Sequence, residues 1–300
     1  MKDRKKMKSG MMWLLLSMSL AIAMVFVQSP GWAVTCPVPN DATDSDSDGF
    51  TDYEECNGIT LYDGTCMCGS VNCPLPPVGC TSTRTDRLDP NKKDLFVIFI
   101  RKTPSNIPVD LDPLAYVKGL PINVHLITET QASNNADYTL DRIVSPGSAN
   151  KQKAVRVSES LITTPDPEIV GISFEGTPKS RDDALVYTAK IENHIETVCN
   201  CSGSIGPTWC TGCCDSTGAC GVALFHKYIK QIVAHEIGHM IGPLAPVSLR
   251  DKERYGGYHY KSGTNVIMDQ SVYYTVKGSI VTFYVGTTWT SLDIAGIKLY

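Results

Sequence analysis

His235, Glu236 and His239 are the residues of this 300-residue chain whose spacing speaks most directly of chemistry. On an α-helix, residues four apart project from one face, so the imidazoles of His235 and His239 would stand side by side. Two neutral imidazoles so placed can share one tetrahedral metal ion, zinc above all. Glu236 would lie beside that ion without ligating it. From there its carboxylate can take a proton from a water nucleophile and later pass it to a leaving amine.

The surrounding residues predict the helix this requires. Phe225, Tyr228, Ile229, Ile232, Val233, Ile237, Met240 and Ile241 recur at helical spacing. Gly242-Pro243 then stops the helix, because glycine tolerates a left-handed turn and proline cannot continue the hydrogen-bond ladder. A pair of surface histidines on an amphipathic helix is the plain alternative. Pattern, period and helix stop together favour the metal site.

The run His235–Gly242, HEIGHMIG, resembles the first eight residues of the metzincin zinc-peptidase motif HExxHxxGxxH. That resemblance implies an α+β, zincin-like catalytic domain, with a mixed sheet packed on helices and the zinc helix as the cleft floor. It also implies a third histidine ligand and a methionine turn beneath the metal. The chain departs from the motif at Ala245, which cannot bind metal. His259 is the only histidine after His239. Followed by Ile267-Met268, it resembles the family's third ligand running into the methionine turn. Residues 243–258 then read as an insertion, His259 as the third ligand and Met268 as the turn methionine. Glu253 is the alternative ligand, in a His₂Glu set, with Asp251 and Asp269 weaker still. An oxyanion donor is also needed, and nothing selects among Tyr258, Tyr260, Tyr273 and Tyr274. In astacin-like enzymes a tyrosine follows the turn methionine by two residues; Gln270 stands there in this chain.

A second metal-binding pattern lies far upstream. Asp44, Asp46, Asp48, Asp52 and Glu55 fit D-x-D-x-D-G-x-x-D-x-x-E, with Gly49 at the sharp turn. Carboxylates at alternate positions converge on calcium, joined by the backbone carbonyl of Phe50 and both oxygens of Glu55. Residues 34–43 do not read as the helix an EF-hand needs. With Cys56 directly after, the segment resembles a single thrombospondin type-3 repeat, which implies a structural calcium site stiffening a small module. A solvated acidic linker is the bland alternative.

The remaining sequence sets the compartment and the organisation. A basic start, an apolar run over residues 11–27 and Gly31-Trp32-Ala33 read as a signal peptide cut after Ala33, placing the protein outside the cell, in a periplasm or at the cell surface. Twelve cysteines fall in two sets of six, between Cys36 and Cys80 and between Cys199 and Cys220. In an exported chain they favour disulfides within each cluster, with Cys210-x-x-Cys213 as a competing zinc knuckle. Net charge is −4; removing residues 1–33, which hold five basic residues and one acidic, leaves −8. Such a balance disfavours nucleic acid and anionic membrane as partners.

Three parts follow: residues 1–33, the signal; 34–93, a cysteine-rich calcium module and linker, of which 34–80 needs staples rather than a core and 81–93 reads as a polar linker; and 94–300, the peptidase domain. Strands are expected at 95–100, 122–128, 154–157 and 169–174, helices at 112–119, 182–198 and 222–241, and β structure over 272–285. His125, His194 and His226 read as structural or surface residues. The function these features imply is an exported zinc endopeptidase acting on extended polypeptide. A catalytically inactive, calcium-stabilised binding protein on a degenerate peptidase fold is the alternative. A zinc hydrolase acting on a non-peptide bond is a third reading.

Overall fold

The computed structural model describes residues 42–70, 83–102, 117, 120–132, 154–162, 170–174, 183–241, 266–268, 272–295 and 297. The expected signal peptide and the expected helix at 112–119 lie outside them, apart from Val117. The elements, in order, are α1 (Asp52–Asn57), β1 (Ile59–Thr60), β2 (Cys66–Cys68), β3 (Thr83–Arg87), β4 (Asp94–Ile100), β5 (Asn123–Ile127), β6 (Val155–Ser160), β7 (Gly171–Phe174), β8 (Asp183–Tyr187), α2 (Thr188–Cys199), β9 (Cys213–Asp215), α3 (Val222–Ile241), β10 (Tyr273–Lys277), β11 (Ile280–Tyr284) and α4 (Ser291–Ala295). The architecture is mixed α and β, with mixed sheets and disulfides.

A five-stranded sheet of order β5-β4-β6-β8-β7 organises the molecule. Its first four strands are parallel, and β7 pairs antiparallel with β8 at the edge. β4 is a continuous apolar run because both of its faces are covered. Leu95 and Val97 face a core built with Val157, Val186, Ile191, Phe225, Ile229, Val233 and Ile237. Phe96 and Ile98 face a second core built with Phe50, Ile59, Leu61, Met67 and Leu88. Alternate residues of a strand point to opposite faces, so this single strand divides the two cores.

The second core corrects the expectation that residues 34–80 need staples rather than a core. Phe50, Leu61 and Met67 are fully buried, and the Phe50 ring lies 5.8 Å from that of Phe96. The expected linker at 81–93 is likewise structured: β3 pairs parallel with β2, and Arg84 bonds Asp86, Gln131 and the carbonyl of Leu126. Polar composition here reflects a strand whose side chains make ion pairs at the sheet edge.

The helix expected over 182–198 begins later. Residues 183–187 form β8, inserted between β6 and β7, with Ala184 and Val186 buried; only from Thr188 does the chain become helical. An Ala-Leu-Val-Tyr run suits strand and helix alike, and burial between two neighbouring strands decides it. The other strand expectations hold, and the expected β structure near the C-terminus is the hairpin β10–β11, to which β9 adds in parallel. Cysteines pair within the second cluster as Cys199–Cys213, Cys201–Cys210 and Cys214–Cys220. Cys210 and Cys213 are thus both in disulfides, which removes the zinc-knuckle reading.

Candidate metal centres

α3 spans the residues the sequence predicts and packs across β6, β7 and β8 and against α2. From Gln231 to Gly238 every residue is buried, so all of the His235–His239 motif except His239 is enclosed. The Nε2 atoms of His235 and His239 are 3.1 Å apart, with ring planes at 83°. Two imidazole nitrogens at ~2.05 Å from one tetrahedral zinc stand about 3.3 Å apart. The pair therefore matches the spacing a shared ion demands.

His235 is also held in the right tautomer. Its Nδ1 lies 2.9 Å from the carbonyl oxygen of Ile267, an atom that can only accept. Nδ1 must carry the proton, which leaves the Nε2 lone pair facing His239. Ile267 is fixed in turn, because its N–H donates to the carbonyl of Thr288 at 3.0 Å. The next residue, Met268, is fully buried against α3. A Cβ on Gly238 would come within 2.5 Å of the Met268 sulfur and 2.9 Å of the Trp289 ring. Glycine between the two histidines thus lets the 266–268 segment close on the helix directly beneath them.

Glu236 is 5% exposed, and its carboxylate reaches the edge strand. A Cβ on Gly171 would lie 2.4 Å from Glu236 Oε1 and 2.7 Å from Ile232 Cγ2. The bare backbone of Gly171 in β7 makes the room that this carboxylate occupies. Burial, and second to it the negative charge of Glu236, hold the Tyr187 hydroxyl above its ordinary pKa. Gly171, Gly238 and Trp289 carry no sequence signal of their own; only their contacts in the fold mark them. His259, Glu253, Asp251, Asp269, Ala245 and Gln270 lie outside the described residues.

The acidic loop forms a second constellation. Gly49 adopts φ +103°, the left-handed turn expected of it. The carboxylate of Asp44 accepts the N–H groups of Ser47 at 2.7 Å and Gly49 at 3.0 Å, which winds the loop. Thr51 and Glu54 then form a reciprocal capping box that starts α1. Carboxylate oxygens of Asp44, Asp46 and Asp48 gather within 4.8 Å of one another, and so do those of Asp48, Glu55 and Asp94. Asp52 belongs to neither group; its two oxygens accept the N–H and hydroxyl of Ser45 at 2.8 and 2.7 Å. Burial, then the charges of Asp48 and Asp44, push Asp46 up to about 7; burial above all pushes Asp48 up to about 6.

Comparison with protein-family models, with curated proteins and with solved structures finds no match to this chain. The functional reading therefore rests on the geometry of these two centres.

The other histidines divide. His194 is ringed by Tyr228, Tyr274 and Phe283, and burial lowers its pKa. His125 does more than fill space. Its Nδ1 lies 2.9 Å from Asp86 and its Nε2 2.6 Å from Asp94. Burial alone would lower its pKa, but hydrogen bonds to the two carboxylates outweigh that and raise it.

Proposed function

We propose that this protein is an exported zinc endopeptidase that hydrolyses peptide bonds with Glu236 as general base. One observation carries the reading: the Nε2 atoms of His235 and His239 stand 3.1 Å apart, with Glu236 between them in sequence and itself buried. His235 and His239 would hold the zinc, and His259 is proposed as the third ligand. Zinc supplies Lewis acidity, acidifying a water and polarising a carbonyl. The chain's own groups do the rest. Ile267 fixes the donor tautomer of His235. Met268 and Trp289 close on the helix at Gly238, the residue just before His239. Glu236, held against Gly171, takes the proton of the attacking water and returns it to the departing amine.

The zincin-like assignment draws support from the parallel sheet, the antiparallel edge strand β7 beside Glu236 and the methionine beneath the histidine pair. Export draws support from the disulfides, which persist in oxidising compartments. The acidic loop is proposed as a structural calcium site, with Asp44, Asp46, Asp48, Asp52, Glu55 and the Phe50 carbonyl as ligands; Asp52, whose oxygens accept from Ser45, would act through a water. Polypeptide is the proposed partner, and neither nucleic acid nor membrane.

The test is caseinolysis by folded, zinc-loaded protein and its Glu236→Gln variant. The expected loss is ~10²–10⁴-fold in kcat with zinc stoichiometry unchanged, because Glu236 is a base and not a ligand. Wild-type protein that holds zinc yet cleaves nothing would instead favour a binding protein on a degenerate peptidase fold.

A further inference from the structure

We propose that Asp94, the first residue of β4, completes the cation site of the acidic loop, so that one calcium ion bonded by Asp46, Asp48 and Glu55 also fastens the loop to the five-stranded sheet. This rests on the calcium reading of the loop and adds a ligand that the loop pattern does not contain.

Four observations converge. First, Asp48, Glu55 and Asp94 each bring a carboxylate oxygen within 4.8 Å of the others, and all three residues are fully buried. Second, among the described residues neither oxygen of Glu55 meets a cationic or N–H donor, its side-chain neighbour being the acid Asp94, and Oδ2 of Asp46 has no hydrogen-bond partner. A buried carboxylate without a partner is costly enough that it calls for a positive charge or a proton. The elements packed here supply Lys93, whose ammonium is spent on the carbonyls of Asp46 and Ser47, and His125, whose ring is spent on Asp86 and Asp94. Neither reaches Glu55. A hard cation with six to eight oxygen ligands answers all of these carboxylates at once.

Third, the loop and β4 are already drawn together at this point. The N–H of Asp94 donates to Asp48 Oδ2 at 2.5 Å, and the Phe50 ring rests near that of Phe96. Residues 94, 96 and 98 share one face of β4, so Asp94 is presented to the loop by the strand register itself. Fourth, Asp94 is oriented from behind. The His125 N–H groups reach Asp94 and Asp86, and Asp86 is held in turn by Arg84. A ligand carboxylate braced by an outer hydrogen-bonding partner is the arrangement that fixes metal sites in place.

The experiment is calorimetric titration of calcium alone into the full exported chain, stripped of calcium and with zinc restored. The wild type is expected to bind, and Asp94→Asn to bind at least ~10-fold more weakly, since a charged ligand is lost. Hydrogen exchange on the wild type supplies a second readout that needs no variant: calcium is expected to slow exchange of the β4 amides by at least ~10-fold, because opening the strand must then break the bridge. A wild type that binds no calcium overturns the calcium reading and the bridge together. A wild type that binds, with Asp94→Asn unchanged in affinity or with protection confined to residues 44–55, overturns the bridge and leaves the loop site standing.

Discussion

The Nδ1–H of His235 donates to the carbonyl oxygen of Ile267 at 2.9 Å, which ties the C-terminal half of α3 to a segment 32 residues further along the chain. That bond sets the tautomer, and Met268, the next residue, fills the space beneath. The contact works only because Gly238 presents no side chain to the methionine sulfur.

Gly238→Ala is therefore expected to destabilise the fold, although alanine is the better helix former by ~1 kcal/mol. The new Cβ would meet Met268 and two atoms of the Trp289 ring. Overpacking of this kind costs ~1–3 kcal/mol, so a net loss of about 1 kcal/mol is expected in urea unfolding, together with weaker zinc retention. A variant more stable than the wild type would show that the 266–268 segment is not closed on the helix.

Gly171→Ala tests the position of the base. Its Cβ would displace the Glu236 carboxylate, and a shift near 1 Å costs on the order of 10²-fold in rate. The expected outcome is a kcat reduced by ~10–100-fold with one zinc still bound. Unchanged kcat would mean that Glu236 does not act from the place it occupies beside β7.

The acidic loop should make stability depend on pH with opposite signs in the two metal states. Asp46 and Asp48 are pushed up to about 7 and about 6, against ordinary values near 3.8. A carboxyl raised in the folded state binds its proton more tightly than in the unfolded chain. Its stabilising contribution is then full below about pH 4 and is lost as pH rises through 6 to 7. Calcium-free protein should accordingly lose thermal stability over that interval. Calcium replaces those protons, so its affinity and the stability it confers should rise over the same interval. Melting curves with EGTA and with excess calcium, taken from pH 4 to 8, read both signs; parallel curves would contradict the loop's role as a cation site.

The Cys199–Cys213 disulfide closes a loop of sequence separation 14, joining the end of α2 to β9 just ahead of α3. Chain entropy puts the value of a closed loop of this length at ~3 kcal/mol. The paired serine variant is expected to lose about that much in denaturant unfolding, and non-reducing peptide mapping to recover the three pairings described. Mapping that links cysteines of the first cluster to the second would refute this pairing.

What was legible in the sequence was local. The helix over residues 222–241 was readable because its apolar period, its paired histidines and its Gly-Pro stop lie within a few turns. The loop from Asp44 to Glu55 was readable because its spacing is a property of consecutive residues, and the second cysteine cluster because its partners are near neighbours. The strand at 183–187 was not, because a short apolar run suits helix and strand equally and its pairing with β6 and β7 decided the matter. Nor was the core shared by Phe50 and Phe96. Asp94 against Asp48 and Glu55, Gly171 against Glu236, Gly238 against Met268 and His125 between two carboxylates all depend on strand register and helix packing across long stretches of chain. An isolated aspartate or glycine carries no period and no spacing to announce such a role. Only closure of the chain, 46 residues between Asp48 and Asp94 and 32 between His235 and Ile267, brings the groups within bonding distance.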